Sequence, residues 1–328
     1  MRLSILDQVP ITIGQTAEQT AERTFSLVEL AEQWGYERYW FAEHHGTRGL
    51  GSSAPEVWMA AAAARTKTIH VGSGGILLPQ YSPYKVAAQL RQLETMFPGR
   101  IDGGIGNSPG GPERIRAALA YGHTEGIAMF WEKVDALSKW IQGGRHKEVT
   151  VSPKPASTPN LFILGLGERS AIEAGRRGLG FVHGRFIEPG RGRLAHAAYR
   201  QAFKGKGKPD ALTAVFIICG ETDEHAEELA KTQDLWLLRT EKGLDSRVPT
   251  SITAASAQLS EQDRTRIQAN RKRMIIGGPE TVKRELEKIA NETGCDQFLV
   301  LTNIDDFDEK CRSYERLVKA TKSIISAD

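Results

Sequence analysis

The stretch "YWFAEHHG" (residues 39–46) sets four apolar residues directly against a glutamate, two histidines and a glycine. A run built for burial that ends in ionisable groups is either a strand solvating its end or a strand whose end carries chemistry. Its first half, YWFA (39–42), recurs in kind along the chain. Similar runs are LSIL (3–6), IHVGS (69–73), IDGGIG (101–106), LFILG (161–165), GFVHG (180–184), LTAVFIIC (212–219) and QFLVL (297–301). Near-continuous apolar runs of this length are those of parallel strands covered on both faces.

Helical patterns fall between the runs. Thr16 and Gln19 have the spacing of a capping box, Leu27, Leu30, Ala31 and Trp34 form one apolar stripe, and Gly35 stands where a helix stops. Pro55 can open a second helix, and a third is predicted over 83–96. Phe130, Val134, Leu137 and Ile141 mark another, followed by shorter candidates over 171–178 and 193–203. Val282, Leu286 and Ile289 precede Gly294, and Cys311, Tyr314, Leu317, Val318, Thr321 and Ile324 mark the last. Eight strands with interleaved helices imply a (β/α)8 TIM barrel, with a doubly wound sheet as the alternative. The barrel is expected to fill residues 1–328 as one domain, with insertions after strand four (107–124) and after strand seven (240–278).

Composition narrows the function. The 328 residues are 40% hydrophobic, enough for a large core, and the net charge of +3 is not gathered in a basic block, which argues against nucleic acid as a partner. Cys219, Cys295 and Cys311 match neither a zinc site nor a disulfide framework. With no secretory h-region and no apolar run long enough to span a bilayer, the expectation is a cytoplasmic protein without a membrane partner.

In such a barrel the reactive groups sit at the C-terminal ends of the strands. Here those ends hold Asp7 and Gln8, then Glu43, His44 and His45, then Ser73, Gly74 and Gly75, then Gly106, Asn107 and Ser108, then "GLGERS" (165–170), then His183 and Arg185. Alternation along a strand sends His44 and His45 in opposite directions, so only one can face the barrel mouth directly. That imidazole could serve as acid or base near neutral pH, or the pair could simply cap the strand. No metal site is expected, because no HExxH occurs and no His-x-His accompanies the pair. The "GLGERS" turn offers helix-terminal N–H groups and the Ser170 hydroxyl to a phosphate, or else is a glycine turn with Ser170 as cap. The glycines of "VGSGG" allow a flat ligand to approach the backbone, or mark a tight barrel corner.

The order of "YWFAEHHG", "APEVWMAAAAARTKTIHVGSGGILLP", "SPYKVAAQLRQLETMFPGRIDGGIG" and "LGLGERSAIEAGRRGLGF" resembles the bacterial luciferase-like flavin-dependent monooxygenases, in their smaller single-chain branch. The resemblance implies a barrel that binds reduced FMN, reacts it with O2 and oxygenates a small organic substrate through a flavin C4a-hydroperoxide. His44 matches the catalytic histidine. Gly74 and Gly75 match the position under the isoalloxazine ring, where a cis peptide bond often occurs. Gly167, Glu168, Arg169 and Ser170 match the phosphate-binding turn. Asn107 stands where many members carry arginine, so FMN is expected to bind loosely unless Arg169 compensates. Glu43, His45 and His183 are the expected substrate-pocket residues. A separate flavin reductase and a homodimer are implied as partners. The same fold also serves F420-dependent oxidoreductases, and a non-catalytic flavin-binding protein is the third reading.

Overall fold

The computed structural model describes residues 1–108, 110–122 and 126–322. Pro109, His123 and Thr124 of the first expected insertion, and Ile324 of the last expected helix stripe, lie outside the described residues. Among the described residues the strands are β1 (Arg2–Asp7), β2 (Arg38–Phe41), β3 (His70–Leu77), β4 (Ile101–Gly106), β5 (Asn160–Gly165), β6 (Gly180–Gly184), β7 (Ala211–Cys219), β8 (Met274–Gly277) and β9 (Gln297–Leu301). The helices are α1 (Ala17–Trp34), α2 (Pro55–Arg65), α3 (Pro83–Met96), α4 (Glu113–Leu119), α5 (Phe130–Ile141), α6 (Glu168–Arg176), α7 (Gly192–Ala202), α8 (Asp223–Glu241), α9 (Ser251–Ala255), α10 (Glu261–Arg271), α11 (Pro279–Thr293) and α12 (Phe307–Thr321).

Eight parallel strands run in the order β6-β5-β4-β3-β2-β1-β9-β7, and β7 pairs back to β6, closing a TIM-type barrel. The eight apolar runs of the sequence are these eight strands. The ninth strand, β8, is a four-residue "MIIG" inside the polar second insertion, where it is too short to stand out. It pairs with Phe216–Cys219, the part of β7 that extends past its pairing with β6. That insertion is therefore not a loop but α9, α10 and an added strand. α4 likewise occupies part of the first insertion.

Local signals act as expected at the helix ends. Thr16 and Gln19 form the capping box of α1, and Gly35 takes the left-handed conformation, φ +84°, that ends it. α2 and α3 both begin at proline, whose missing N–H costs nothing in a first helical turn.

Strand alternation splits the core into two shells. Ile5, Tyr39, Phe41, Ile163, Phe181 and Val300 face outward and pack under the helices. Leu6, Trp40, Phe162, Val182, Leu212 and Leu299 face inward and fill the barrel. Below them, where β2 and β4 begin, Asp102 is fully buried and accepts from Arg38 Nη1 (2.7 Å), Trp40 Nε1 (3.0 Å) and Asn160 Nδ2 (2.9 Å). This network plugs the N-terminal mouth, so the C-terminal rim is the end at which the barrel can receive a ligand. Cys219, Cys295 and Cys311 are unpaired and buried. Among the described residues no helix is long and apolar enough to cross a membrane, and no group of His, Cys, Asp and Glu side chains could hold a metal ion.

Candidate active site

The two histidines of the opening stretch diverge as alternation requires. Ala42 packs with the inner shell, and His44, two residues on, reaches back to the end of β1, where its Nε2 lies 3.3 Å from Gln8 Nε2. The His44 backbone N–H is fixed by Ser52 O at 2.8 Å. Burial first, and the neighbouring His45 second, push the His44 imidazole down to about 4, so the ring is neutral at pH 7.

His45 turns the other way. Its Nε2 donates to Glu43 Oε1 at 2.7 Å, and the Tyr81 hydroxyl donates to the same oxygen at 2.5 Å. Glu43 Oε2 accepts the Leu77 N–H at 2.8 Å. Glu43 is buried, and its carboxylate ties the end of β2 to the end of β3 and to the turn that follows. Burial first, and Glu43 second, push the Tyr81 phenol well above its ordinary value, so it remains a donor. Lys133 of α5 holds the same turn from outside, donating to the carbonyls of Leu78 (3.3 Å), Pro79 (2.8 Å) and Tyr81 (2.9 Å). Glu43 and His45 thus serve the wall of the rim.

Between these groups β3 and β4 carry glycines at Gly74, Gly75 and Gly104. The Gly74–Gly75 peptide bond is cis, and the register between β3 and β4 shifts there. A Cβ on Gly74 would stand 2.4 Å from Leu6 Cδ1, one on Gly75 2.8 Å from Gly104 O, and one on Gly104 2.0 Å from Ser73 O. A Cβ would collide with backbone at Gly75 and Gly104 and with the Leu6 side chain at Gly74, so β3 and β4 present main chain here, packed beside Leu6, next to the segment that leaves β2 toward His44. A flat, conjugated ligand suits such a stretch of main chain.

The next strand leads into an open helix terminus. α6 begins at Glu168, with Gly167 as its N-cap and no side chain capping it. Ser170 is therefore not the cap. Its hydroxyl donates to Gly167 O at 3.1 Å. The first-turn N–H groups of Glu168, Arg169 and Ser170 point out of the helix start and are available to an anion. Arg169 is exposed, as is Asn107 at the end of β4. Arg191, which the sequence did not single out, comes beside this helix start. A Cβ on Gly167 would lie 3.2 Å from its Nη1.

His183 is not on the rim. Val182 takes the inward direction, so His183 points outward, where its ring meets His196 of α7 at 5.9 Å between centroids. Both are fully buried. His196 Nε2 lies 3.0 Å from Thr213 Oγ1. Burial, then Arg185, pushes His183 down to about 4, and burial, then His183 and Arg200, pushes His196 to about 3. The expected place of His183 in a substrate pocket fails by one step of strand alternation.

A closed parallel barrel with a neutral histidine, a run of glycines and an open helix terminus on one rim has the layout of a TIM-barrel enzyme with its site at the C-terminal ends of the strands. The sequence profile of the luciferase-like monooxygenases matches residues 1–297, and the chain belongs to that family. It is 47% identical over 330 residues to the uncharacterized protein YceB of Bacillus subtilis (strain 168), covering 97% of this chain and 99% of that one. It is 32% identical to the N-acetyl-S-alkylcysteine monooxygenase of the same organism, with 98% of each chain covered. The crystal structure of apo-MsnO8 superposes with a TM-score of 0.90 at 32% identity, covering 97% of this chain and 98% of that one.

Proposed function

We propose that this protein is a monooxygenase that binds reduced FMN at the C-terminal rim of the barrel and uses O2 to oxygenate a small organic substrate. The observation that carries this reading is the run of side-chain-free positions, Gly74, Gly75 and Gly104, on β3 and β4 close to the rim that holds His44. When bound, the reduced flavin supplies the electrons that activate O2. Gly74, Gly75 and Gly104 would offer the ring system main chain in place of side chains of their own, with Leu6 packed beside Gly74. The N–H groups of Glu168, Arg169 and Ser170, with the Arg191 guanidinium, receive the phosphate. Arg191 supplies the charge that Asn107 lacks. His44, neutral at pH 7, is placed to accept or return a proton at an imidazole nitrogen during the oxygen chemistry. Glu43, His45, Tyr81 and Lys133 hold the β3 end in place.

The test is an anaerobic titration with reduced FMN followed by rapid mixing with O2. The expected outcome is saturable binding and an absorbance transient distinct from reduced and oxidised flavin, with a shorter lifetime in His44→Ala. Binding of reduced F420 but not of reduced FMN would overturn the FMN reading. Tight binding of oxidised FMN without any transient would mark a flavin-binding protein instead.

A further inference from the structure

The rim residue with no assigned part is Gln8. It follows β1 on the inward-facing side of the alternation that carries Leu6. Its amide Nε2 faces His44 Nε2 at 3.3 Å, and its Oε1 is buried with no hydrogen-bond partner among the described residues. We infer that Gln8 is a positioning residue for His44, which holds the imidazole with its Nε2 lone pair accepting from the Gln8 amide and its proton on Nδ1.

Two observations carry this. The first is the chemistry of the pair. An amide nitrogen only donates, so the imidazole nitrogen facing it must be the bare one. Turning the amide over would let Oε1 accept from His44 Nε2–H, but it would bury both N–H donors of the amide where Oε1 now lies unpaired. Orphaned buried N–H groups are rarer and costlier than an under-satisfied carbonyl. The second is the backbone that aims Gln8. Val9, the next residue, has φ +52°, a conformation that a β-branched side chain strongly disfavours. It is held there from both sides. The Val9 N–H donates to Asp7 Oδ1 at 2.7 Å, and Val9 O accepts the Gly51 N–H at 2.8 Å. Asp7 is buried, with the Tyr39 hydroxyl on its other oxygen and Lys310 Nζ 3.7 Å away. The segment that holds Val9 through Gly51 also holds the His44 N–H through Ser52. Gln8 and His44 are thereby fixed to one another through a single short segment.

The consequence is a defined proton position. A neutral His44 carries its proton on Nδ1 while Gln8 covers Nε2. Proton uptake at Nε2 requires the amide to turn so that Oε1 accepts, which Gln8 can do without leaving its place. His45 is the titratable neighbour that bears on His44.

That this matters for turnover rests on the monooxygenase reading, but the test does not use flavin, so the two can fail separately. The free protein, labelled with 15N-histidine, is examined by long-range proton–nitrogen correlation, with His44 assigned from the spectrum of His44→Gln. The expected result is a wild-type His44 with protonated Nδ1 and bare Nε2. Gln8→Glu, which offers acceptors only, should move the proton to Nε2 and raise the proton affinity of His44 at least tenfold. Gln8→Met, close in shape and without hydrogen-bonding ends, should give a mixture of tautomers, and it carries the test if Gln8→Glu does not fold. A wild-type ring protonated at Nε2, or an unchanged tautomer in the folded variants, would overturn the inference.

Discussion

Glu43 Oε1 accepts two hydrogen bonds at once, from the Tyr81 hydroxyl at 2.5 Å and from His45 Nε2 at 2.7 Å, while Oε2 takes the Leu77 N–H. One buried carboxylate thus joins two strand ends and the following turn. Removing it strands three donors. Glu43→Ala should lower stability by about 2–3 kcal/mol, and Tyr81→Phe, which removes one donor and leaves the acceptor satisfied, by about 1 kcal/mol. Urea unfolding of the three proteins measures the difference. Equal losses in the two variants would mean that the carboxylate does not organise the rim.

The glycine wall predicts an unequal response to alanine. In Gly104→Ala the new Cβ meets Ser73 O, a backbone atom, at 2.0 Å, whereas in Gly106→Ala its nearest neighbour is Ile76 O at 3.7 Å. A backbone atom cannot step aside as a side-chain end can, so Gly104→Ala should cost about 3 kcal/mol or fail to fold. Gly106→Ala should stay within about 0.5 kcal/mol of the parent. Thermal unfolding separates the two.

Arg191 and Asn107 predict a phosphate-specific effect. Arg191→Ala should raise the Kd of reduced FMN about tenfold, the loss of one charge-assisted contact, and leave that of reduced riboflavin unchanged. Asn107→Arg should tighten FMN and not riboflavin. Both effects should shrink as salt rises. Anaerobic titrations at two ionic strengths check this, and equal losses for FMN and riboflavin would remove Arg191 from the phosphate site.

The His183–His196 pair gives the protein an acid-sensitive element away from the rim. Both rings titrate lower in the folded chain, at about 4 and about 3, than the ordinary value of about 6.5 that they regain on unfolding. Below about pH 6.5 the unfolded chain therefore binds more protons than the folded one. The stabilising contribution is complete above that value and is lost progressively as pH falls to about 4 and below. His183→Gln removes one of the two groups. Its stability relative to wild type, measured by urea unfolding, should improve between pH 7 and pH 4.5. A constant difference would show that the pair does not contribute.

The sequence by itself determined the barrel. Its eight strands are short runs, and a strand covered on both faces of a sheet is mostly apolar whatever its neighbours are, so runs such as 39–42, 161–165 and 212–219 could be read one at a time. Helix ends were equally legible, because the Thr16–Gln19 box and Gly35 act within one turn of chain. Alternation was enough to send His44 and His45 apart, and the resemblance placed the cis bond at Gly74–Gly75, where the structure has it. Tertiary structure alone decided what these residues meet. Gln8 and His44 lie 36 residues apart and touch because β1 and β2 are adjacent. Arg191 reaches the α6 terminus from a turn after β6 that carries no periodic signal. His183 was misplaced because a residue count gives the end of a strand and not its face. β8 escaped notice because four residues acquire a strand's hydrogen bonds only from a neighbour that overhangs the barrel, β7. Burial and capping are properties of a local stretch, whereas the partner of a polar group is set by closure of the sheet.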